Sequence, residues 1–257
     1  MNSLRLLNVT QKVDSQDPIL GFFHRWLLEF EKKCAKLTII GQLEKNHFPG
    51  LSVRSLQKER GASIAWQILR FWMLIFRERT SYDAVLVHMT PVWVVLGFPV
   101  WFCLRKRVYL WYEVRRGGLM LTLAVLFSKK VFSATEHGLP WPVKNQVITG
   151  HGIDTELFHL PSEPRDPHLL LAIGRLTPIK KVELFLEALA KLPSHYRLHI
   201  IGGTITESDK TYVRMLAGRM SELGITDRVS YGFGTQEEVA RELQKAAIFL
   251  HAAGGGL

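Results

Sequence analysis

"LLLAIGRLTPIKK", residues 169–181, decides the fold. Five apolar residues run straight into Gly174. Arg175 comes next, and Lys180 and Lys181 follow close behind. A helical pattern starts at once, with Val182, Phe185, Leu186, Leu189 and Leu192 on one face over 181–192. A short apolar run closed by glycine and followed by a 3.6-residue period reads as a buried strand feeding a helix. In an open α/β sheet, ligands bind beyond the carboxyl ends of the strands, which is where Arg175 begins its loop. Lysines at a helix N-terminus oppose the helix dipole, by roughly 0.3–1 kcal/mol each when exposed. A bound phosphate or diphosphate reverses the sign of that interaction. Solvated surface charge is the alternative reading of the same residues.

The same strand–helix rhythm extends in both directions. Strands are expected at 4–9, 36–41, 51–56, 83–88, 107–113 and 130–135, with helices at 19–34 and 62–79 among the segments between them. In the second of these helices, Ile64, Ile68, Trp72, Ile75 and Phe76 share a face. Downstream, strands at 169–174, 197–203, 228–233 and 247–252 alternate with helices at 181–192, 209–223 and 235–246. Such alternation implies α/β architecture with doubly wound parallel sheets. Three prolines within 161–167 break the rhythm and read as a linker. The expected domains are 1–160 and 161–257. The last strand runs into "AGGGL" (253–257) with no covering helix after it, so the second domain reads as incomplete.

The chain has 257 residues, is 47% hydrophobic and carries two cysteines, Cys34 and Cys103, both inside apolar segments. They read as small buried hydrophobes of a protein in a reducing compartment. The net charge of +10 points to acidic partners such as phosphorylated metabolites or anionic lipid. No Lys/Arg tract is long enough for a nucleic-acid tail. The longest apolar stretch, 92–104, contains Pro99 and falls short of the about 20 residues of a spanning helix. Membrane contact is therefore expected to be peripheral; the aromatic-basic helix at 62–79 fits it, and a buried amphipathic helix explains the same pattern at least as well. The expected location is cytoplasmic, with peripheral attachment at the inner membrane face left open.

Four elements in order share a resemblance. "GHGIDTELF" (150–158) resembles the N-G-[IV]-D-x-x-x-F element of retaining glycosyltransferases of family 4, with His151 in place of Asn. "IGRLTPIKKVELFLEAL" resembles that family's G-R-L-x-x-x-K-G run, with Arg175 and Lys180 on its Arg and Lys and Lys181 in place of its Gly. "LHIIGG" (198–203) resembles the strand that follows. The run 227–253 resembles the family's next strand, helix and strand. The E-x7-E element that follows in the family would fall beyond residue 257. The resemblance covers about 110 residues; before residue 150 it is one of architecture.

It implies a GT-B fold, two Rossmann-like domains facing a cleft, the first for the acceptor and the second for a nucleotide-sugar donor. The implied reaction is glycosyl transfer with retention. Arg175 and Lys180 would neutralise charge on the departing diphosphate. Gly174, Gly202, Gly203, Gly232 and Phe233 would surround the donor. No cofactor is expected, since no D-x-D motif for a bridging cation is present, and the acceptor would be a glycan or lipid-linked. The acceptor side offers Asp17, Gly21, His88, Glu113 and His151, each with an ordinary structural alternative. For Glu113 that alternative is an ion pair with Arg115 or Arg116. "YGFG" (231–234) lacks the third glycine of a dinucleotide fingerprint. The competing class is a non-catalytic module that binds a phosphate ligand or nucleotide sugar.

Overall fold

The computed structural model describes residues 3–17, 20–47, 49–204 and 206–252. The "AGGGL" end and the first residue of the helix expected at 19–34 lie outside them. The chain separates into two compact units, residues 1–152 and 153–256.

The first unit is built on a seven-stranded sheet: β1 (Arg5–Val13), β2 (Lys36–Glu44), β3 (Val53–Ser55), β4 (Ala84–His88), β5 (Arg107–Trp111), β6 (Lys130–Ser133) and β7 (Gln146–Ile148). Their spatial order is β3-β2-β1-β4-β5-β6-β7. Every pairing is parallel. Its helices are α1 (Gly21–Lys33), α2 (Ile64–Arg77), α3 (Pro91–Cys103) and α4 (Leu119–Phe127). Alternate strand residues point to opposite faces. Leu7, Val9, Val85, Val87, Leu110 and Val131 pack with α2, α3 and α4. Leu6, Leu37, Ile39 and Ala84 pack with Phe23 and Leu27 of α1 on the other face. The chain therefore crosses back over β1 after β3, the switch that makes the sheet doubly wound. The three-residue β7 is too short for a periodic signal and was not expected from the sequence.

The second unit has a four-stranded parallel sheet, order β10-β9-β8-β11. Its strands are β8 (Asp166–Ile173), β9 (Arg197–Ile201), β10 (Val229–Gly232) and β11 (Ala246–Leu250). The helices are α5 (Val182–Lys191), α6 (Glu207–Glu222) and α7 (Gln236–Lys245). Leu170, Ala172, Leu198 and Ile200 pack under α5 and α6. Leu171 and Ile201 pack with Val239 and Leu243 of α7 on the reverse face. Thr206 and Thr235 cap α6 and α7, each in a reciprocal capping box with the acidic residue three positions on.

Two sequence expectations are corrected. Of the face expected to bury on α2, only Ile75 is fully buried, and Ile68 is partly so. Ile64, Trp72 and Phe76 are 63%, 43% and 56% exposed. The packed face carries Gln67, Phe71, Leu74 and Ile75 instead. The helix is apolar nearly all round, so periodicity does not single out a face. Polar ties to the preceding loop set its rotation: Arg70 Nε donates to the Ser55 carbonyl at 2.7 Å and Gln67 Nε2 to the Ala62 carbonyl at 2.9 Å. The second correction concerns the cysteines, since Cys34 is half-buried and Cys103 exposed at the last turn of α3.

Tyr82 ties α2 to α3. Its buried hydroxyl donates to the Ile75 carbonyl at 2.8 Å and accepts from Trp101 Nε1 at 3.2 Å. Burial pushes that hydroxyl up to about 12. Tyr82→Phe leaves both partners unsatisfied in the core, and should cost about 1–3 kcal/mol. Urea denaturation should show a lower midpoint with an unchanged slope.

Candidate functional site

The carboxyl ends of β8, β9 and β10 are laced together by backbone alone. Gly174 N–H donates to the Ile201 carbonyl at 2.9 Å, Gly202 N–H to the Gly232 carbonyl at 3.0 Å, and Leu176 N–H to the Gly203 carbonyl at 2.9 Å. Gly174 adopts φ +143°, and a Cβ on Gly202 would lie 1.8 Å from the Gly174 carbonyl oxygen. No side chain fits at 202. A Cβ on Gly203 would lie 2.5 Å from the Phe233 ring, whose residue is 72% exposed. Gly174, Gly202, Gly203, Gly232 and Phe233 thus form one patch at the strand ends.

Arg175 and Lys180 join that patch. Both line a small hollow of about 20 Å³ with Gly174, Leu176 and His251, large enough for a single water. Lys180 folds back over Gly174: its Cε lies 3.5 Å and its Nζ 3.9 Å from where a Cβ on that glycine would stand. Arg175 is exposed and Lys180 half-buried. Among the described residues neither has a carboxylate within ion-pair distance. Sequence reasoning passed over His251; its position at the end of β11, next to β8, is visible only in the sheet order.

Lys181 has a different role. It sits at φ 48°, ψ 46°, the left-handed region, immediately before α5. A glycine meets that geometry without strain. The first amide of α5 is also engaged: Val182 N–H donates to the Tyr212 hydroxyl at 2.8 Å, and that hydroxyl donates to the Glu183 carboxylate. Burial and the Glu183 acceptor push the Tyr212 hydroxyl far above its ordinary range. An anion here meets cationic side chains rather than a fully open helix terminus.

In the first unit the sequence candidates scatter. Asp17 holds the turn before α1, accepting from Leu20 N–H at 2.6 Å and from Lys12 Nζ. Gly21 begins α1, where a Cβ would stand 3.2 Å from the Ser15 carbonyl oxygen. The Glu113 carboxylate accepts from Ala134 N–H at 2.5 Å and from Thr135 Oγ1 at 2.7 Å, holding the loop after β6. His151 is exposed, just after β7. His88 ends β4, fully buried, its ring stacked on Phe23 at 3.6 Å and its Nδ1 3.3 Å from Thr10 Oγ1. Burial pulls its pKa down to about 3, so the ring is neutral. Beside it, Phe23, Trp26, Leu86, Trp111, Phe132 and Gly150 line an apolar pocket of about 430 Å³. His88 Nε2 and Trp111 Nε1 are buried without a hydrogen-bond partner among the described residues.

This two-sheet architecture is the GT-B fold. The family model of glycosyl transferases group 1 matches residues 155–255. Among solved structures, HepE of Anabaena in complex with UDP superposes with a TM-score of 0.74 at 14% identity, over 98% of this chain and 75% of that one. The lipopolysaccharide outer core galactosyltransferase WaaB gives 0.64 at 12% identity, over 96% and 74%. An alpha-glucosyltransferase bound to UDP-glucose and abasic DNA gives 0.65 at 11% identity, over 98% and 73%. No curated protein matches the chain. Among the described residues, no helix is long and apolar enough to cross a membrane.

Two outcomes follow from this geometry. Lys181→Gly removes a left-handed lysine and should raise the stability of the second unit by about 1 kcal/mol, read as a higher denaturation midpoint. His88 binds its proton near pH 6.5 when unfolded and near 3 when folded. In that window the unfolded chain holds more protons, so lowering the pH destabilises the fold, by up to about 1.4 kcal/mol per pH unit. His88→Phe should flatten the acid limb of a stability-versus-pH series by this group's share.

Proposed function

We propose that this protein transfers a sugar from a nucleoside-diphosphate donor to an acceptor hydroxyl, with retention at the anomeric carbon, as a member of the retaining family 4. The observation that carries the reading is the pairing of Arg175 and Lys180 around one hollow at the ends of β8 and β11, beside Gly202, where no side chain fits. As the bond from the anomeric carbon to the phosphate oxygen breaks, the electron pair leaves with the diphosphate. Two fixed cations there stabilise the growing charge and are worth several kcal/mol in the transition state. In this reading they do that work without a metal ion. Gly202, Gly203 and Gly232 let the donor approach the backbone, and the exposed Phe233 ring flanks the base.

The acceptor belongs to the first unit. Its aromatic pocket beside α1, lined by Trp111, whose buried ring nitrogen has no partner among the described residues, suits a sugar ring or the apolar part of a lipid-linked acceptor. The setting we assign is cell-envelope glycan or glycolipid synthesis on the cytoplasmic side.

Titration with UDP, GDP and ADP, and with their glucose conjugates, tests the reading. One diphosphate should bind, and the matching sugar should turn over in the presence of EDTA. Arg175→Ala and Lys180→Ala should each lower kcat/KM by about 10²-fold and weaken the diphosphate while sparing the free nucleoside. Variants that bind and turn over as the parent does overturn the reading. Binding without turnover of any sugar favours a non-catalytic nucleotide-sugar module.

A further inference from the structure

The first unit turns an apolar surface outward. On α2, Trp66, Leu69, Trp72, Met73 and Phe76 are 43–56% exposed. They lie opposite the packed residues Gln67, Phe71, Leu74 and Ile75 at 100° per residue. The neighbouring helices continue the surface: Phe102 of α3 is 70% exposed, and Leu119 and Leu126 of α4 are 69% and 74% exposed. α2 packs on α3 and α3 on α4, so the exposed residues belong to one layer. Scattered exposed hydrophobes are ordinary; a row of this kind across three adjacent helices is not.

Charge says what covers it. Residues 61–130, which hold all three helices, contain ten Lys and Arg against three acidic residues, seven of the chain's ten net positive charges. All three acids are engaged elsewhere. Glu78 binds Arg54 and Ser81, Asp83 binds Arg5, and Glu113 holds the loop after β6. Each helix ends in cations: Arg77 and Arg79 after α2, Arg105 and Lys106 after α3, Lys129 and Lys130 after α4. Because each helix crosses between parallel strands, all three run antiparallel to the sheet and their C-termini gather at one edge. Helix dipoles account for cations at those ends. They do not account for apolar residues along the outer faces.

The tryptophans add an independent observation. The Trp72 indole N–H donates to the Leu96 carbonyl at 2.8 Å, and that of Trp66 to Gln57 Oε1 at 3.1 Å. Their rings are turned outward while their one polar group is satisfied from within. Such a ring enters hydrocarbon without burying an unpaired donor. Arg79 lies over the Phe76 ring, its guanidinium carbon 4.5 Å from the centroid, at the edge of the surface. An apolar face rimmed by cations is the pattern of interfacial attachment.

We propose that the outer faces of α2, α3 and α4 dock this protein on an anionic lipid bilayer, with Trp66, Leu69, Trp72, Met73 and Phe76 in the interface and the exposed Arg77, Arg79, Arg105, Lys129 and Lys130 on lipid phosphates; Lys106 is held by the Tyr82 carbonyl instead. The inference stands apart from the donor chemistry of the second unit.

Co-sedimentation with vesicles of phosphatidylglycerol in phosphatidylcholine tests it. The protein should bind at low salt, lose most of that binding on pure phosphatidylcholine, and weaken as salt is raised. Leu69→Ser/Met73→Ser/Phe76→Ser should reduce partitioning about tenfold or more. Should that variant fail to fold, Arg77→Glu/Arg79→Glu/Arg105→Glu, all at exposed positions, should give a comparable loss on anionic vesicles. Brominated lipid should quench tryptophan emission, less so in Trp66→Phe/Trp72→Phe. No binding at low salt, or parent-like binding by the folded variants, overturns the proposal. So does a dimer, seen by sedimentation velocity, that the serine variant dissolves while neither form binds vesicles. Nucleotide titration of the same samples reads the donor site separately, so loss of one leaves the other intact.

Discussion

The contact between Gly202 and the Gly174 carbonyl is the constraint on which the second unit's site depends. With a would-be Cβ only 1.8 Å from that oxygen, the two strand ends can lie side by side only if residue 202 has no side chain. This approach allows Leu176 N–H to reach the Gly203 carbonyl, which fixes where the loop after β8 turns. Arg175 and Lys180 leave from that loop. Their shared hollow is thus a consequence of backbone packing, and among the described residues no ion pair with a protein carboxylate holds it. A cation placed this way keeps its charge for a ligand. One paired with carboxylates, as Arg219 is with Glu187 and Glu222, has donors already engaged.

The start of α5 bears on which group meets an anion. Helix N-termini attract anions through free amides. Here the Val182 amide is occupied by the Tyr212 hydroxyl, itself fixed by Glu183. That network ties α6 to the first turn of α5 and holds the loop from below. Lys181, just before α5, passes through the left-handed region as the chain enters the helix. The lysine is tolerated because its side chain leaves toward solvent and nothing packed depends on it; Lys181 is exposed.

Much of this was legible in the sequence because parallel strands and their helices carry separate periods. The run at 169–174, ended by glycine, and the face of Val182, Phe185, Leu186 and Leu189 are both in place. The gathering of Gly174, Gly202, Gly203, Gly232 and Phe233 at one edge follows from strand ends in register. His251 was not legible, because only the insertion of β11 beside β8 brings it near Lys180. Nor was the rotation of α2, where Ile64, Trp72 and Phe76 look as suited to a core as Phe71 and Leu74 do. What decides there is polar: the Arg70 and Gln67 side chains reach carbonyls of the preceding loop, and those partners are invisible to a hydrophobic period.

The net charge, read over the whole chain, pointed to an acidic partner without saying where. Divided by unit it is uneven. Residues 1–152 hold 21 Lys and Arg against 10 Asp and Glu, while residues 153–256 hold 12 against 13. The unit with Arg175 and Lys180 therefore has no basic excess, and the phosphate affinity proposed for it would come from the placement of two cations rather than from a general field. The excess sits in the other unit, where the cations collect at the ends of helices with apolar outer faces. A small anionic ligand calls for a few fixed charges at short range. An extended anionic surface calls for many, spread along an edge and coupled to apolar area. On the two proposals made above, the units would carry these two arrangements separately, and one basic pI would cover two different electrostatic problems.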